Sequence, residues 1–293
     1  MNLPFTGTCL GRLAGMAAFA VAVTAATAGT ARAEEWTKSY TVSGRAHVRV
    51  ETNDGAVRVS TGDTKQVELR VIYSGYQMDK NLTVSSRQEG DTVEVSARVH
   101  SGFGWNWGVN HRSLRVEVHM PREADLSVDT GDGSVEAQAL TGDLDIHTGD
   151  GHIRVDGAKG NIRLRTGDGS IDGRDLDGKV EADTGDGHVT LEGRFDALNI
   201  KSGDGSITAR AGAGSKLSTG WNIHTGDGSV DLSLPGDLQA NIEASTNDGR
   251  ISLGIPVTVE GTFSTSKISG KMNGGGMQLT IHTGDGSIHL SKT

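Results

Sequence analysis

A tetrapeptide that returns at a fixed interval constrains this chain more than any other feature. Thr-Gly-Asp-Gly begins at Thr130, Thr148, Thr166 and Thr184, and Ser-Gly-Asp-Gly at Ser202, a strict period of eighteen residues. Further copies begin at Thr225, Thr246 and Thr283, and an early one at Thr52. Self-similarity at a short fixed period marks a repeat architecture, in which each unit buries its apolar face against its neighbours.

Each period splits into two halves of nine residues, such as TGDGHIRVD and GAKGNIRLR, and both halves end in alternating apolar and polar positions. Period-two alternation indicates a strand with one buried face. Val135, Ile153, Ile171, Val189, Ile207, Val230, Ile251 and Ile288 fall in one apolar column; Leu144, Ile162, Val180, Leu198 and Ile242 fall in another. Antiparallel hairpins also alternate, but they would not force this period. The expected fold is all-β: a parallel β-solenoid (β-helix) with about 18-residue coils of two short strands, preceded by an irregular strand-rich N-terminal part. The expected division is 1–33 as signal peptide, 34–129 as strand-rich part with the first coils, and 130–293 as the regular solenoid. Outward positions then form charge ladders: Glu136, Arg154 and Asp172; Asp145, Arg163 and Glu181; Asp129, His147, Arg165, Asp183 and Lys201.

The tetrapeptide itself reads as a corner. Its second position is Gly, or Asn at Asn53 and Asn247, the residues that enter the left-handed region at least cost, so a positive φ is expected there. Its fourth position is always Gly, and Asp-Gly is a turn pair. The Thr follows an inward aliphatic by two residues (Ile146, then Thr148), which puts its hydroxyl inside the corner as a ladder that can satisfy buried backbone groups.

A column of Asp132, Asp150, Asp168, Asp186 and Asp204 raises calcium as an alternative cofactor, because stacked carboxylates repel and a cation relieves that. The spacing argues otherwise. Calcium-binding nine-residue repeats need the Asp two residues before the aliphatic in every half; here it lies three before, in alternate halves only, and Ca²⁺ wants six or more oxygens. The expectation is a corner with no metal and no other cofactor. No catalytic motif stands out either: Ser264 and Lys267 have a nucleophile spacing without its helix or partner motifs. His147, His224 and His282 share the position before the corner, with no two expected in adjacent coils. The chain is therefore expected not to be an enzyme, a carbohydrate-active β-helix enzyme being the alternative. The loop HSGFGWNWGVNHR (100–112) concentrates Phe103, Trp105 and Trp107 on glycine, which suits either a plug over the open end of the solenoid or a ligand or partner surface.

Arg12, the apolar run at 13–29 and Ala31-Arg32-Ala33 form a signal peptide with cleavage after Ala33, so the product is expected to be exported, periplasmic or extracellular. No second apolar run is long enough to span a membrane. Cleavage removes Arg12 and Arg32 from 28 basic residues against 37 acidic ones, leaving 26 minus 37, or −11. That charge speaks against nucleic acid or an anionic membrane surface as partner. Cys9, the single cysteine, is lost with the leader, so no disulfide is available.

An opening that includes VRVETNDGAVRVSTGD (48–63), the transition MPREADLSVDTGDGSVEA (120–137) and the TGDG coils together resemble the bacterial putative-adhesin family, a β-strand-repeat domain of unknown function. The resemblance spans essentially residues 40–293 and implies a right-handed parallel β-helix on an exported, adhesin-like protein of the cell envelope. It brings no catalytic motif. The partner it implies is an envelope protein or a glycan. The last coil, LTIHTGDGSIHLSKT (279–293), is expected to leave a bare strand edge and to support weak self-association.

Overall fold

The structure, a computed structural model, describes residues 33–100, 112–259 and 264–293. Among these there is no helix; twenty-three strands hydrogen-bond into one continuous, mixed sheet, β-solenoid-like in its stacking. No helix of the described residues is long and apolar enough to cross a membrane.

The register follows the repeat. Thr141–Thr148 lies parallel to Lys159–Thr166, with Thr148 opposite Thr166, and Ile153–Asp156 lies parallel to the start of Ile171–Thr184, with Ile153 opposite Ile171. The eighteen-residue offset returns at both ends of the pairing with Val189–Ser202, Ile171 opposite Val189 and Thr184 opposite Ser202, with a bulge between them where Leu176 faces Gly193. Every coil thus contributes to two ladders. The first carries the strand that ends in the corner Thr; the second carries the strand that follows the corner. The apolar columns face inward as expected: Leu144, Ile162, Val180 and Leu198 stack in the first ladder, and Val135, Ile153, Ile171, Val189 and Ile207 in the second, all buried.

Two features depart from a simple parallel stack. Antiparallel strands attach at both ends: Glu34–Thr41 on Gln66–Ser74 and that strand on Ser113–Pro121, Leu82–Glu89 on Thr92–Val99, and Thr258–Val259 on Lys267–Met272 and that strand on Ala240–Thr246. More unexpectedly, spatial order is not chain order. Ala46–Thr52 sits between Thr92–Val99 and Ala124–Thr130. At the far end the last coil is wedged between two earlier ones: Met277–Thr283 pairs with Trp221–Thr225 on one side and Ala240–Thr246 on the other, and Ile288–Lys292 with Val230–Leu234 and Ile251–Leu253. The bare edge expected at 279–293 therefore does not exist, and self-association through the C-terminal coil loses its basis. Near-identical corners pair equally well in any order, so the period could not reveal the insertion.

The corners differ from expectation in one respect. The second-position glycines do not have positive φ; that conformation occurs elsewhere, as at Gly157 (72°) and Gly214 (81°). Close stacking is what excludes a side chain. The Gly149 N–H donates to Gly131 O at 2.5 Å, and a Cβ on Gly149 would lie 2.6 Å from that same oxygen. The two Asn copies occupy the two outermost tetrapeptides of the stack. Asn53 Nδ2 donates to Val99 O at 2.7 Å, and its Oδ1 accepts the Val99 N–H at 2.8 Å. At the opposite end the Asn247 N–H reaches Gly284 O at 2.8 Å, a looser spacing that admits a Cβ.

The Thr ladder is present. Thr166 Oγ1 donates to Gly151 O at 3.0 Å and accepts the Gly169 N–H at 3.2 Å; Ser202 repeats both bonds at 3.2 and 3.0 Å. These two hydroxyls pair backbone groups that the corner would otherwise bury unsatisfied, whereas Thr52 Oγ1, in the outermost corner, is buried without a partner.

Candidate binding face

The outward residues of the first ladder line a groove of about 1020 Å³ that runs along the stack. Its floor extends from Arg49 and Glu94 through Ser127, Asp145, Arg163 and Glu181 to Asn199, Asn222 and Thr280. These are successive members of one column, placed by strand alternation and by the ladder register. A parallel column holds His47, Asp125, Asp143, Asn161, Lys179 and Ala197, and continues to Gly220 and Gln278.

The two halves of the groove differ in chemistry. The N-terminal half is charged and mostly matched by ion pairs, Asp143 and Lys179 being without one among the described residues. Arg163 lies between Asp145 (3.6 Å) and Glu181 (3.2 Å), Arg45 bonds Asp125 at 2.6 Å, and Arg87 bonds Glu94 at 2.6 Å. These pairs bear out the expected ladder of Asp145, Arg163 and Glu181; on the second face Arg154 likewise meets Asp172 at 3.8 Å. In the third ladder Arg165 turns aside to Glu181, at 3.3 Å. Burial would raise the carboxyls of Asp125 and Glu181. Hydrogen bonds from Arg45 and the Asp143 N–H to the first, and from Arg163 and Arg165 to the second, outweigh burial and hold both below the ordinary carboxylate range. The C-terminal half carries no charged side chain on its floor: Asn199, Asn222, Gln278 and Thr280 supply carboxamides and a hydroxyl, with Asn222 Nδ2 3.4 Å from Asn199 Oδ1.

The column Asp132, Asp150, Asp168, Asp186 and Asp204 lies on the corner edge, away from this groove, with all five residues exposed. Each Oδ1 sits near the next coil's glycine, as Asp168 Oδ1 does at 3.0 Å from a Cβ built on Gly185. Among the described residues no group of three or more His, Cys, Asp or Glu side chains could hold a metal ion. Ser264 and Lys267 form a local turn, Lys267 N–H to Ser264 Oγ at 2.9 Å. Phe103, Trp105 and Trp107 lie outside the described residues, as do residues 1–32.

The histidine expectation fails because of the inserted coil. His224 and His282 are register partners on adjacent strands, with rings stacked at 5.2 Å and 10°. Lys201 flanks His224 in the ladder, Ser245 Oγ lies 3.0 Å from His282 Nδ1, and Lys267 is opposite Ser245. Burial, with the neighbouring His282 and Lys201, lowers the pKa of His224. A His whose folded pKa is depressed takes up its proton in the unfolded chain first, so stability falls as pH drops through the ordinary His range near ~6.5. The melting temperature is expected to drop between pH 7.5 and 5.5, and His224→Gln to shrink that drop. An equal drop in the variant would remove His224 as its source.

Residues 45–291 match the sequence model of the Toastrack DUF4097 family. The chain belongs to that family. This bears out the resemblance to a putative-adhesin domain of unknown function. No curated protein matches the chain. Among solved structures, a "putative cell adhesion protein" from Clostridium sporogenes ATCC 15579 is 14% identical, covering 89% of this chain and 100% of its own, with a TM-score of 0.30. A "putative lipid binding protein" from Parabacteroides distasonis ATCC 8503 is 17% identical over 87% and 96%, with a TM-score of 0.47. A "putative adhesin" from Bacteroides fragilis NCTC 9343 is 12% identical over 88% and 97%, with a TM-score of 0.39. The groove, whose residues lie within the matched span, is thus built on a Toastrack stack.

Proposed function

We propose that this Toastrack chain is an exported, non-enzymatic binding module of the cell envelope, adhesin-like, which engages its partner along the first-ladder groove. The observation that carries this reading is the groove itself: one continuous face of about 1020 Å³, whose floor column crosses coil after coil. The eighteen-residue offset of the central coils, broken only by a bulge around Leu176–Gly178, supports reading the stack as a parallel β-solenoid, a rigid platform for such a face. Export is supported by the Ala31-Arg32-Ala33 site at the end of the apolar run. The periplasm or the exterior would then be where it works, with an envelope protein or a glycan as partner. A carbohydrate-active enzyme would need a carboxyl raised to act as general acid. The arginine pairing of Asp125 and Glu181 pushes the other way.

The test uses residues 34–293 and isolated envelope fractions. Ala197→Trp places an indole in the groove, whereas Thr208→Trp places one on the outward face of the second ladder. Retention on the envelope is expected to fall at least tenfold for the first variant and to stay within twofold for the second, at unchanged melting temperature. Retention that ignores Ala197→Trp would overturn the reading.

A further inference from the structure

We propose that the C-terminal half of the groove binds a stretch of a linear, uncharged glycan laid along the stack. The inference rests on the groove being the binding face and goes on to the chemistry of its ligand. Three observations lead to it.

First, the floor offers no apolar anchor. The aliphatic side chains of the first ladder point into the core; Leu198, Trp221 and Leu279 are at most 2% exposed. Trp221 is further committed inside, with its ring 6.1 Å from that of Phe195 at 82° and its Nε1–H donating to Lys216 O at 3.2 Å. An acyl chain or an amphipathic helix anchors on exposed large apolar side chains; among the described residues only Val259 and Met277 are of that kind, and neither lines the groove.

Second, most charges of the groove are matched among themselves; among the described residues only Asp143, which accepts a hydrogen bond from Asn161, and Lys179 line it without an ion pair, and both lie in its N-terminal half. Arg163 is occupied by two carboxylates, and Asp125 and Glu94 each hold an arginine. A polyanion or polycation would have to displace those partners, and it would meet no charge at all over Asn199, Asn222, Gln278 and Thr280. Charge complementarity therefore selects a ligand without charge.

Third, the groups that remain are the kind that read hydroxyls. Each carboxamide offers two donors and an acceptor on one short arm, and the Thr hydroxyl offers both roles. Asn199, Asn222 and Thr280 stand on three adjacent strands, in register, with Gln278 beside them. Donors and acceptors repeated along the stack axis fit a polymer that presents hydroxyls or amides along its length. A single small sugar would use a fraction of them. The array is created by the inserted coil, since Thr280 and Gln278 reach Asn222 only because Met277–Thr283 is wedged beside Trp221–Thr225.

The experiment is isothermal titration of residues 34–293 with cello- and chito-oligosaccharides from two to six units, and with oligogalacturonate as the charged probe. The expected result is binding of at least one neutral series, tighter by tenfold or more from dimer to hexamer. The dissociation constant should change less than twofold between 50 and 500 mM salt, because no ion pair forms. Asn222→Ala with Gln278→Ala should weaken binding at least tenfold at an unchanged melting temperature. A second pair, Asn222→Asp with Gln278→Glu, keeps shape and folding but adds charge, and should weaken it likewise. No binding of either neutral series, binding of oligogalacturonate alone, or neutral binding untouched by both variant pairs would overturn the proposal. If neutral glycans fail while Ala197→Trp still abolishes envelope retention, the groove stands as the binding face and the glycan assignment falls. If Ala197→Trp has no effect on retention, the underlying reading falls first.

Discussion

Gly169→Ala is expected to destabilise the protein by about 3 kcal/mol or more, at the top of the range for overpacking a tight interior. A Cβ there would land on the Gly151 carbonyl and lie 2.7 Å from Thr166 Oγ1. Backbone from the adjacent coil cannot swing aside as a side chain can, and moving it would open the Thr166 bonds to Gly151 O and Gly169 N. Gly167 gives the sharper comparison. Its Cβ would sit 2.5 Å from Gly149 O, and its φ is not positive, so alanine and asparagine should lose similar amounts, about 1–3 kcal/mol each. Gly90→Ala is the control: φ is 59° but nothing lies within 4 Å, so only the left-handed cost of roughly 1–2 kcal/mol applies. Urea midpoints followed by far-UV circular dichroism measure all four. A neutral Gly167→Asn beside a costly Gly167→Ala would show that backbone conformation, and not coil spacing, dictates glycine at that position.

Removing residues 277–293 is expected to abolish folding of the distal part rather than shorten the stack by one coil. Leu279, Ile281, Ile288 and Leu290 are all fully buried. At ~1.5–3 kcal/mol for each buried side chain, their loss amounts to roughly 6–12 kcal/mol, comparable with the whole stability of an ordinary domain. Four strands would also lose a partner at once: Trp221–Thr225, Val230–Leu234, Ala240–Thr246 and Ile251–Leu253. Limited proteolysis should find cleavage throughout 221–253 in the truncated chain and none there in the intact one. A peptide of residues 277–293 supplied in trans should restore protection, because the slot it fills has hydrogen-bonding strands on both sides. A truncated chain that stays protected up to residue 253 would show that the two flanking coils can close on each other.

The parts of this fold legible in the sequence are those fixed by period alone. The inward columns, the Thr hydroxyls and the ladder of Asp145, Arg163 and Glu181 follow from strand alternation and an eighteen-residue offset, and they stand where the repeat puts them. Glycine was ambiguous because two different physical needs, positive φ and close approach, select the same residue. The order of the coils was hidden because TGDG stacks on TGDG whichever copy comes first. One signal did mark the order. Asparagine replaces the second glycine only at Asn53 and Asn247, the two outermost corners, so the TGDG beginning at Thr283 had to lie inside the stack. The groove was illegible for the same reason. Asn222 and Thr280 are far apart in the chain, and only the wedged coil makes them neighbours.

That wedged coil also sets an order of assembly. The strand Ala46–Thr52 is made early and acquires a neighbour on each side from residues made later, so this end can grow outward from a seed. The other end cannot. Ala240–Thr246 is synthesised before the strand that must separate it from Trp221–Thr225. In that interval the two can meet directly, in a register their shared Thr corners make nearly as good, and the mispaired stack then has to part to let residues 277–292 in. Closing a contact across that stretch of chain adds only slowly to the entropy cost, but prying apart an already paired ladder is an activated step. One end of the molecule is therefore built by accretion and the other by interpolation, and any slow phase of refolding is expected at the second.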